Sequence, residues 1–318
     1  MNTLTKRGLI GAAVAFAMGL GTPGFAADYP TGPITMLVGY GAGGQTDLVA
    51  RATARVMSEE LGVPINVINK PGAGGAIAAR QLEQSANDGQ TILFHANTVV
   101  NAAPFLAKRV TFKPQSFEYA GMITAYQGGL AARKDAPFNT LVEFIAWAKE
   151  NPNFSYGVLS PTARMYMNEI AKKEGLKVNM VPLKGGSGMI NALLGEQVVL
   201  ALSGGIHYRY PDQLKTISAL TSFRHPSSPD TRTIEEDGYP LAMDARTTLF
   251  LPKGTPRAVL DKLAAALKTA STNEAFKTFT KTANIPIMYL NVDEANAEMV
   301  NSYAKNKGII EGAGIVPK

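Results

Sequence analysis

One arrangement recurs along this chain: an apolar run, a short loop of glycine and small polar residues, and then the start of a helix. It first appears in "ITMLVGYGAGGQTDLVARA" and returns in "TILFHANT", "FSYGVLSPT", "VNMVPLKGGS" and "VVLALSGG". The apolar runs are continuous rather than alternating, which is typical of strands covered by helices on both faces. The pattern therefore predicts an α/β protein built on mostly parallel sheets flanked by helices.

The periodicity of apolar residues gives approximate bounds for the elements. Strands are predicted at 34–39, 65–69, 91–95, 119–124, 128–133, 154–159, 178–183, 198–203, 216–221 and 247–251. Helices are predicted at 46–61, 74–86, 140–150, 162–174, 187–194, 256–270, 273–282 and 293–306. No long linker separates these elements, so if there are two lobes the chain passes between them more than once.

The first glycine-rich loop matches a dinucleotide-binding spacing but lacks the context of one. Gly39, Gly41 and Gly44 fit G-x-G-x-x-G, yet the second strand ends in Asn69 and Lys70 rather than in an acidic residue. No Gly-Lys-Ser/Thr follows, so a phosphate-binding P-loop is excluded as well. An NAD-type cofactor is not expected here.

The same loop leads into a helix start, with Thr46 as the predicted N-cap and Asp47 in the first turn. Free N–H groups and the positive end of the helix dipole favour an anion at such a position. A tight turn without a ligand explains this segment equally well. Several such loops meeting at the carboxyl ends of strands favour the binding interpretation.

The first residues have the three parts of a secretory leader. Lys6 and Arg7 precede the apolar stretch "GLIGAAVAFAMGLG", and Gly24 and Ala26 are small residues at the −3 and −1 positions of a cleavage site. We expect a signal peptide over 1–26, cut near Ala26, and a periplasmic location. A single membrane anchor is the less favoured alternative, because the apolar stretch is short and is interrupted by Gly and Pro.

Composition excludes several functional classes. There is no Cys, so disulfides and a lipid-attachment cysteine are excluded. Loss of the leader lowers the formal charge from +6 to +4, which gives no indication of nucleic-acid binding. The three histidines lack metal-ligand spacing and there is no G-x-S-x-G elbow, so we expect no metal site and no catalytic residue.

Several segments resemble one family across nearly the whole predicted mature chain. They are "YPTGPITMLVGYGAGGQTDLVAR", "LGVPINVINKPGAGGAIAAR", "DGQTILF", "VPLKGG" and "LPKGTP". They are similar to the Bug family of extracytoplasmic solute-binding receptors, the substrate-binding proteins of tripartite tricarboxylate transporters. The resemblance implies a two-lobed Venus-flytrap fold, with lobe 1 at 27–125, lobe 2 at 126–225 and a return to lobe 1 at 226–318.

The family pattern also implies where the ligand binds. The implied pocket residues of the first lobe are Tyr40, Gly43, Gly44, Thr46 and Asp47, and those of the second lobe are Ser160, Thr162, Lys184 and Gly185. Position in or beside strand-end loops adds His95, Asn97, Arg164 and Ser203. Arg209 and His207 are weaker candidates, and Tyr40, Tyr126 and Tyr166 are candidate walls for a ring.

The resulting expectation is a receptor that captures a small carboxylate and passes it to the membrane permease of a tripartite transporter. A di- or tricarboxylate is expected, because Lys184, Arg164, Arg209 and His95 lie on or next to pocket loops. The three candidate tyrosine walls make an aromatic carboxylate the other expectation. An alternative is that the protein is the ligand-binding subunit of a membrane sensor kinase. A weaker alternative is an exported enzyme that uses the same cleft. We expect a monomer without a cofactor.

Overall fold

The computed structural model describes residues 29–317, so the predicted leader over 1–26 lies outside the described residues. Within that range the chain forms one six-stranded and one five-stranded sheet, each covered by helices. A two-lobed α/β fold is therefore confirmed.

The first sheet has the strand order β11-β4-β10-β3-β1-β2. Its strands are β1 (Ile34–Val38), β2 (Ile65–Asn69), β3 (Thr91–Ala96), β4 (Phe117–Ala125), β10 (Arg246–Pro252) and β11 (Ile287–Leu290). The second sheet has the order β7-β6-β8-β5-β9. Its strands are β5 (Gly129–Arg133), β6 (Phe154–Val158), β7 (Val178–Pro182), β8 (Leu200–Ser203) and β9 (Leu214–Ala219).

The helices lie in the connections between these strands, except for α9, which follows β11. They are α1 (Gln45–Leu61), α2 (Ala76–Glu83), α3 (Thr98–Asn101), α4 (Leu141–Glu150), α5 (Pro161–Glu174), α6 (Gly186–Leu194), α7 (Arg257–Thr272), α8 (Glu274–Thr282) and α9 (Val292–Gly312).

Both sheets are mixed, which corrects the expectation of mostly parallel strands. β1 pairs in parallel with β2 and β3, and β6 with β7 and β8, as strand–helix–strand units require. The antiparallel pairs all involve a strand that borders a passage between the lobes, or β11 at the edge. β4 leads directly from the first sheet into β5 of the second, and β10 returns the chain to the first sheet. These strands therefore run antiparallel to their neighbours.

Each sheet has an apolar core on both faces. In the first lobe one core packs β-strand residues such as Met36 and Phe94 against α1 and α7, and the other lies under α2 and α9. In the second lobe the larger core surrounds Tyr156 beneath α4 and α5, and the smaller core lies beneath α6. The strands are apolar on both sides because both sides are buried.

Residues 220–245 pack on the second lobe. Ile234, Tyr239, Leu241 and Met243 belong to the same core as Tyr156, and regular pairing with the first sheet resumes only at Arg246. The return predicted at 226 therefore falls about twenty residues too early, because this segment has no helix or strand of its own to reveal its packing. The last helix also contributes Ile310 to the second-lobe core, so α9 joins both lobes.

Candidate functional site

A cavity of about 90 Å³ lies between the lobes, where β1, β3, β6 and β8 present their carboxyl ends. Two passages of the chain between the lobes contribute to its wall, and they are hydrogen-bonded to each other from the Tyr126 N–H to the Ala245 carbonyl over 2.9 Å. The lining residues are Tyr40, Gln45, Thr46, Ala96, Thr98, Tyr126, Gly128, Leu159, Ser160, Thr162, Tyr166, Gly186, Leu202, Gly204, Ile206, Leu220, Met243 and Ala245.

The first-lobe contribution is the start of α1. Gly43 adopts a left-handed φ of 77° and Gly44 is the N-cap, so the helix begins at Gln45 without any side-chain cap. Thr46 is therefore not the cap that the sequence predicted. Its hydroxyl instead lies 2.7 Å from the Tyr126 hydroxyl, in a buried pair that joins α1 to the passage between lobes.

The second-lobe contribution is the start of α6, which, like α1, begins after a glycine N-cap. Gly185 is the N-cap with a φ of 132°, and no side chain caps the helix. The turn before it contacts the turn before α1, since Gly41 N–H donates to the Lys184 carbonyl at 2.9 Å and Ser187 Oγ donates to the Ala42 carbonyl at 2.7 Å. Two helix N-termini without side-chain caps thus approach each other beside the cavity, and both favour negative charge.

A third helix start, that of α5, is capped. Ser160 Oγ accepts a hydrogen bond from Ala163 N–H at 3.1 Å, and Pro161 occupies the first helical position. Ser160 and Thr162 both line the cavity. The hydroxyl of Ser160 retains its proton for donation to a ligand.

Asp47 is committed to the protein and does not line the cavity. Its carboxylate accepts hydrogen bonds from Gly43 N–H, Asn69 Nδ2 and Arg51 Nε, and it forms an ion pair with Arg51 at 3.0 Å. Burial alone would raise the pKa of Asp47, but these donors outweigh it and the pKa is lowered. Asp47 holds the turn before α1 in place and is saturated with donors.

The predicted basic residues do not line the cavity. Arg164 is exposed and lines a neighbouring surface cleft, Lys184 is exposed beside another, and Arg209 is exposed. His95 is fully buried behind Tyr40, with ring centroids 4.4 Å apart, and its Nε2 pairs with the Gly74 carbonyl. The expectation of a positively charged cleft is therefore wrong, because the position of a residue in a strand-end loop does not determine where its long side chain points.

Two predicted polar residues serve the framework instead. Asn97 is buried and accepts from Arg246 N–H at 3.0 Å, which fixes the end of β3 to the start of β10. Ser203 is buried and pairs with His207 Nδ1 at 2.7 Å and with Gly205 N–H. His207 Nε2 continues this network to Thr216 at 2.6 Å.

All three histidines are buried, and each has a lowered pKa. Burial lowers the pKa of His95 to about 4, that of His207 to about 3 and that of His225 to about 4. They are neutral at pH 7 and contribute no positive charge to the site.

Several lining residues were not predicted. Gln45 stands in the quoted glycine-rich loop, and Gly186 follows the predicted Gly185, so position beside the loops would have found both. Leu220, Met243 and Ala245 lie in or beside an irregular segment. Leu220 falls in the strand predicted at 216–221, but no periodicity or motif in the sequence indicates Met243 or Ala245.

Two α/β lobes joined by adjacent passages and closed over one cavity define a bilobal solute-binding protein. The family model described as "Tripartite tricarboxylate transporter family receptor" matches residues 49–315. A UPF0065 protein from the gbd 5′ region of Cupriavidus necator is 32% identical over 295 residues, which cover 90% of this chain and 89% of that protein. The chain belongs to this receptor family, the Bug family.

Solved structures agree with this assignment. The periplasmic binding protein BugD is 28% identical with a TM-score of 0.82, covering 91% of this chain and 100% of that one. MatC from Rhodopseudomonas palustris, solved with bound malate, is 25% identical with a TM-score of 0.79, covering 90% of this chain and 99% of that one. The protein is a solute-binding receptor, and family membership implies an extracytoplasmic location.

Two further observations concern only residues 29–317. Within them, no helix has the length and apolar character needed to cross a membrane. No group of three or more potential metal-ligating side chains is found among the same residues.

Proposed function

We propose that this receptor captures a small organic carboxylate between its lobes and delivers it to a membrane permease. The observation that carries the proposal is the approach of two helix N-termini, at Gly44 and Gly186, beside the cavity between the lobes. Neither helix has a side-chain cap, so the N–H groups of both first turns are available to an anion.

The contacts between the lobes support capture by closure. The backbone bond from Gly41 to Lys184 and the bond from Ser187 to Ala42 form only when the two turns meet. A ligand that touches both helix starts stabilises this closed arrangement, since only differential contact shifts an equilibrium between two states. Closure around a ligand is a common mode of action for bilobal binding proteins.

Relatives support the carboxylate and the partner. MatC, a protein of the same fold, was solved with malate. The matching family model describes receptors of tripartite tricarboxylate transporters, which makes a permease of that type the proposed partner. The family model is described as a receptor and BugD as a periplasmic binding protein, which supports binding without turnover.

A thermal-unfolding screen of mono-, di- and tricarboxylates tests the proposal. A ligand present at 100 times its Kd stabilises the folded state by about 2.7 kcal/mol. Small-angle scattering of the stabilised sample should show a smaller radius of gyration than the free protein. The proposal fails if no carboxylate stabilises the protein, or if NMR shows chemical conversion of the bound compound.

A further inference from the structure

Three surface clefts of about 360, 690 and 220 Å³ join outside the cavity between the lobes. Ala73 lines all three, and two of them also share Gly74, Leu159 and Leu183, so they form one continuous surface. We call this surface the furrow. Its lining residues come from 71–84, 106–110, 158–168, 182–184 and 315–316, together with Tyr40.

The furrow crosses the boundary between the lobes. On the first-lobe side it follows the turn after β2, and on the second-lobe side it follows the start of α5. These two sides touch, since a Cβ atom at Gly74 would lie 2.7 Å from Pro161 Cδ. Movement of the lobes apart would separate the two sides, so only the closed receptor presents the whole furrow.

The charged residues of the furrow all have one sign. Arg80 and Arg109 line it from the first lobe, and Arg164 and Lys184 line it from the second. All four are exposed, and within residues 29–317 none of them forms an ion pair. No Asp or Glu of that range lines any of the three clefts. The furrow is therefore a positively charged surface, which favours an acidic partner.

Apolar side chains lie between these cations. Ile77 is 55% exposed and Val316 is 69% exposed, and both line the furrow. Leu159 and Leu183 line its middle, where two of the clefts meet. Exposed apolar groups with arginine around them are typical of protein–protein interfaces. The concave shape fits a protruding protein segment better than it fits a flat lipid surface.

We propose that the furrow is the docking surface for an acidic segment of the membrane permease, which recognises the closed receptor through it. This inference rests on the proposed function. A partner that contacts both sides of the furrow binds the closed receptor more tightly than the open one, because only the closed state offers both sides together. Complementary charge between the two proteins also speeds their association and makes it sensitive to salt.

Charge reversal on both sides of the furrow tests the proposal. The probe is a nanodisc carrying the tripartite permease with which the wild-type receptor supports uptake of the carboxylate found by thermal screening. Biolayer interferometry measures docking of the loaded receptor at low and high salt. Arg109→Glu/Arg164→Glu should weaken docking tenfold or more at low salt and reduce its salt dependence. Calorimetry should show unchanged carboxylate affinity, because neither residue lines the cavity.

Lys177→Glu/Lys268→Glu is the matched control, since it changes the net charge by the same amount. Both lysines are exposed. Lys177 precedes β7 whereas the furrow lies at the other end of that strand, and Lys268 is on α7, across the first sheet from α2. The control should dock like the wild type. Equal weakening in both double variants, or unchanged docking of Arg109→Glu/Arg164→Glu, overturns the proposal. Thermal unfolding of each variant shows that it is folded.

Two further measurements test the partner and the role of closure. Nanodiscs that contain anionic phosphatidylglycerol but no permease should not bind the receptor. Binding to them that is lost in Arg109→Glu/Arg164→Glu would assign the furrow to a membrane surface and overturn the proposal. The receptor without carboxylate should dock at least tenfold more weakly than the loaded receptor, and equal docking of the two forms would contradict recognition of the closed state.

Failure of this inference is distinguishable from failure of the proposed function. Carboxylate binding and contraction of the receptor are measured without the permease. A receptor that binds a carboxylate and contracts, but docks independently of the furrow, overturns the docking surface alone.

Discussion

At the scale of single residues, Thr46 shows how the cavity wall is tied to the passage between lobes. Its hydroxyl and that of Tyr126 are 2.7 Å apart, and both side chains are buried. Since Thr46 is not a helix cap, its substitution tests this one hydrogen bond rather than the stability of α1. The pair links the first helix of lobe 1 directly to a passage of the chain between the lobes.

We predict that Thr46→Val lowers the free energy of unfolding by about 1–3 kcal/mol, because the shape is kept while a buried hydroxyl loses its partner. Chemical denaturation measures the change. Thr46→Ser keeps the hydroxyl and serves as the control.

The double variant Thr46→Val/Tyr126→Phe completes a thermodynamic cycle. Removing both partners should cost less than the sum of the two single changes, because no polar group is then left unpaired. Strictly additive effects would contradict a direct bond between the two hydroxyls.

At the scale of elements, the turns before α1 and α6 meet in close backbone contact. A Cβ atom at Gly41 would lie 3.0 Å from the Lys184 carbonyl oxygen, closer than ordinary van der Waals contact, and its nearest neighbours all belong to the other lobe. The backbone of Gly41 does not have positive φ, so alanine is conformationally acceptable there. Alanine at Gly41 therefore destabilises the arrangement in which the two turns touch, and it introduces no close contact within its own lobe.

We predict that Gly41→Ala weakens ligand binding about tenfold or more while the free protein unfolds at nearly the wild-type temperature. Overpacking of a well-packed contact costs about 1–3 kcal/mol, and 1.4 kcal/mol corresponds to a factor of ten. Calorimetry and small-angle scattering with ligand measure the two consequences, weaker affinity and incomplete contraction.

Gly32→Ala is the matched control, because its Cβ would meet only Gln90 Nε2 at 3.7 Å and its φ is not positive. It should bind normally. Normal contraction of Gly41→Ala on ligand addition would show that the contact between the turns is absent from the bound state.

The elements themselves were largely predictable from the sequence. All ten predicted strands are present, because buried strands between helices read as continuous apolar runs with glycine or proline at their ends. β11 was missed. It is a four-residue edge strand that follows Pro286 and is only partly buried, so its apolar pattern is weak.

The candidate site was predictable only in part, for a physical reason. Glycine-rich loops at strand ends mark the two helix starts, and the structure brings Thr46, Ser160 and Thr162 to the cavity. The direction of a side chain at the end of a strand depends on tertiary packing, so the sequence misplaced Arg164 and Ser203. Met243 is supplied by an irregular segment, for which no periodicity exists.

At the scale of the whole molecule, stability depends on keeping three buried histidines neutral. His95 lies beneath the first-lobe turn, and His207 and His225 belong to one network around Tyr208, whose hydroxyl is 2.8 Å from His225 Nδ1. Burial lowers the pKa of each ring to about 4, 3 and 4 respectively, below the ordinary value of about 6.5.

The sign of the pH dependence follows from these lowered values. The three histidines bind protons near pH 6.5 in the unfolded chain, whereas in the folded chain they bind protons only near pH 3–4. The folded state therefore loses stability as the pH falls from about 6.5 towards 4, by up to about 1.4 kcal/mol per pH unit for each histidine. Above about pH 7 these groups are neutral in both states and contribute no slope.

We predict that chemical denaturation of the free protein at pH 8, 7, 6 and 5 gives constant stability between pH 8 and 7 and a steep loss below 6. His207→Gln should flatten the loss, because it removes one of the three titrating groups while retaining an amide for the bonds to Ser203 and Thr216. The comparison is made between slopes, so any constant cost of the substitution cancels. Equal stability at pH 7 and pH 5 in the wild-type protein would mean that the histidines take up protons without unfolding, and that the network around Tyr208 is open to water.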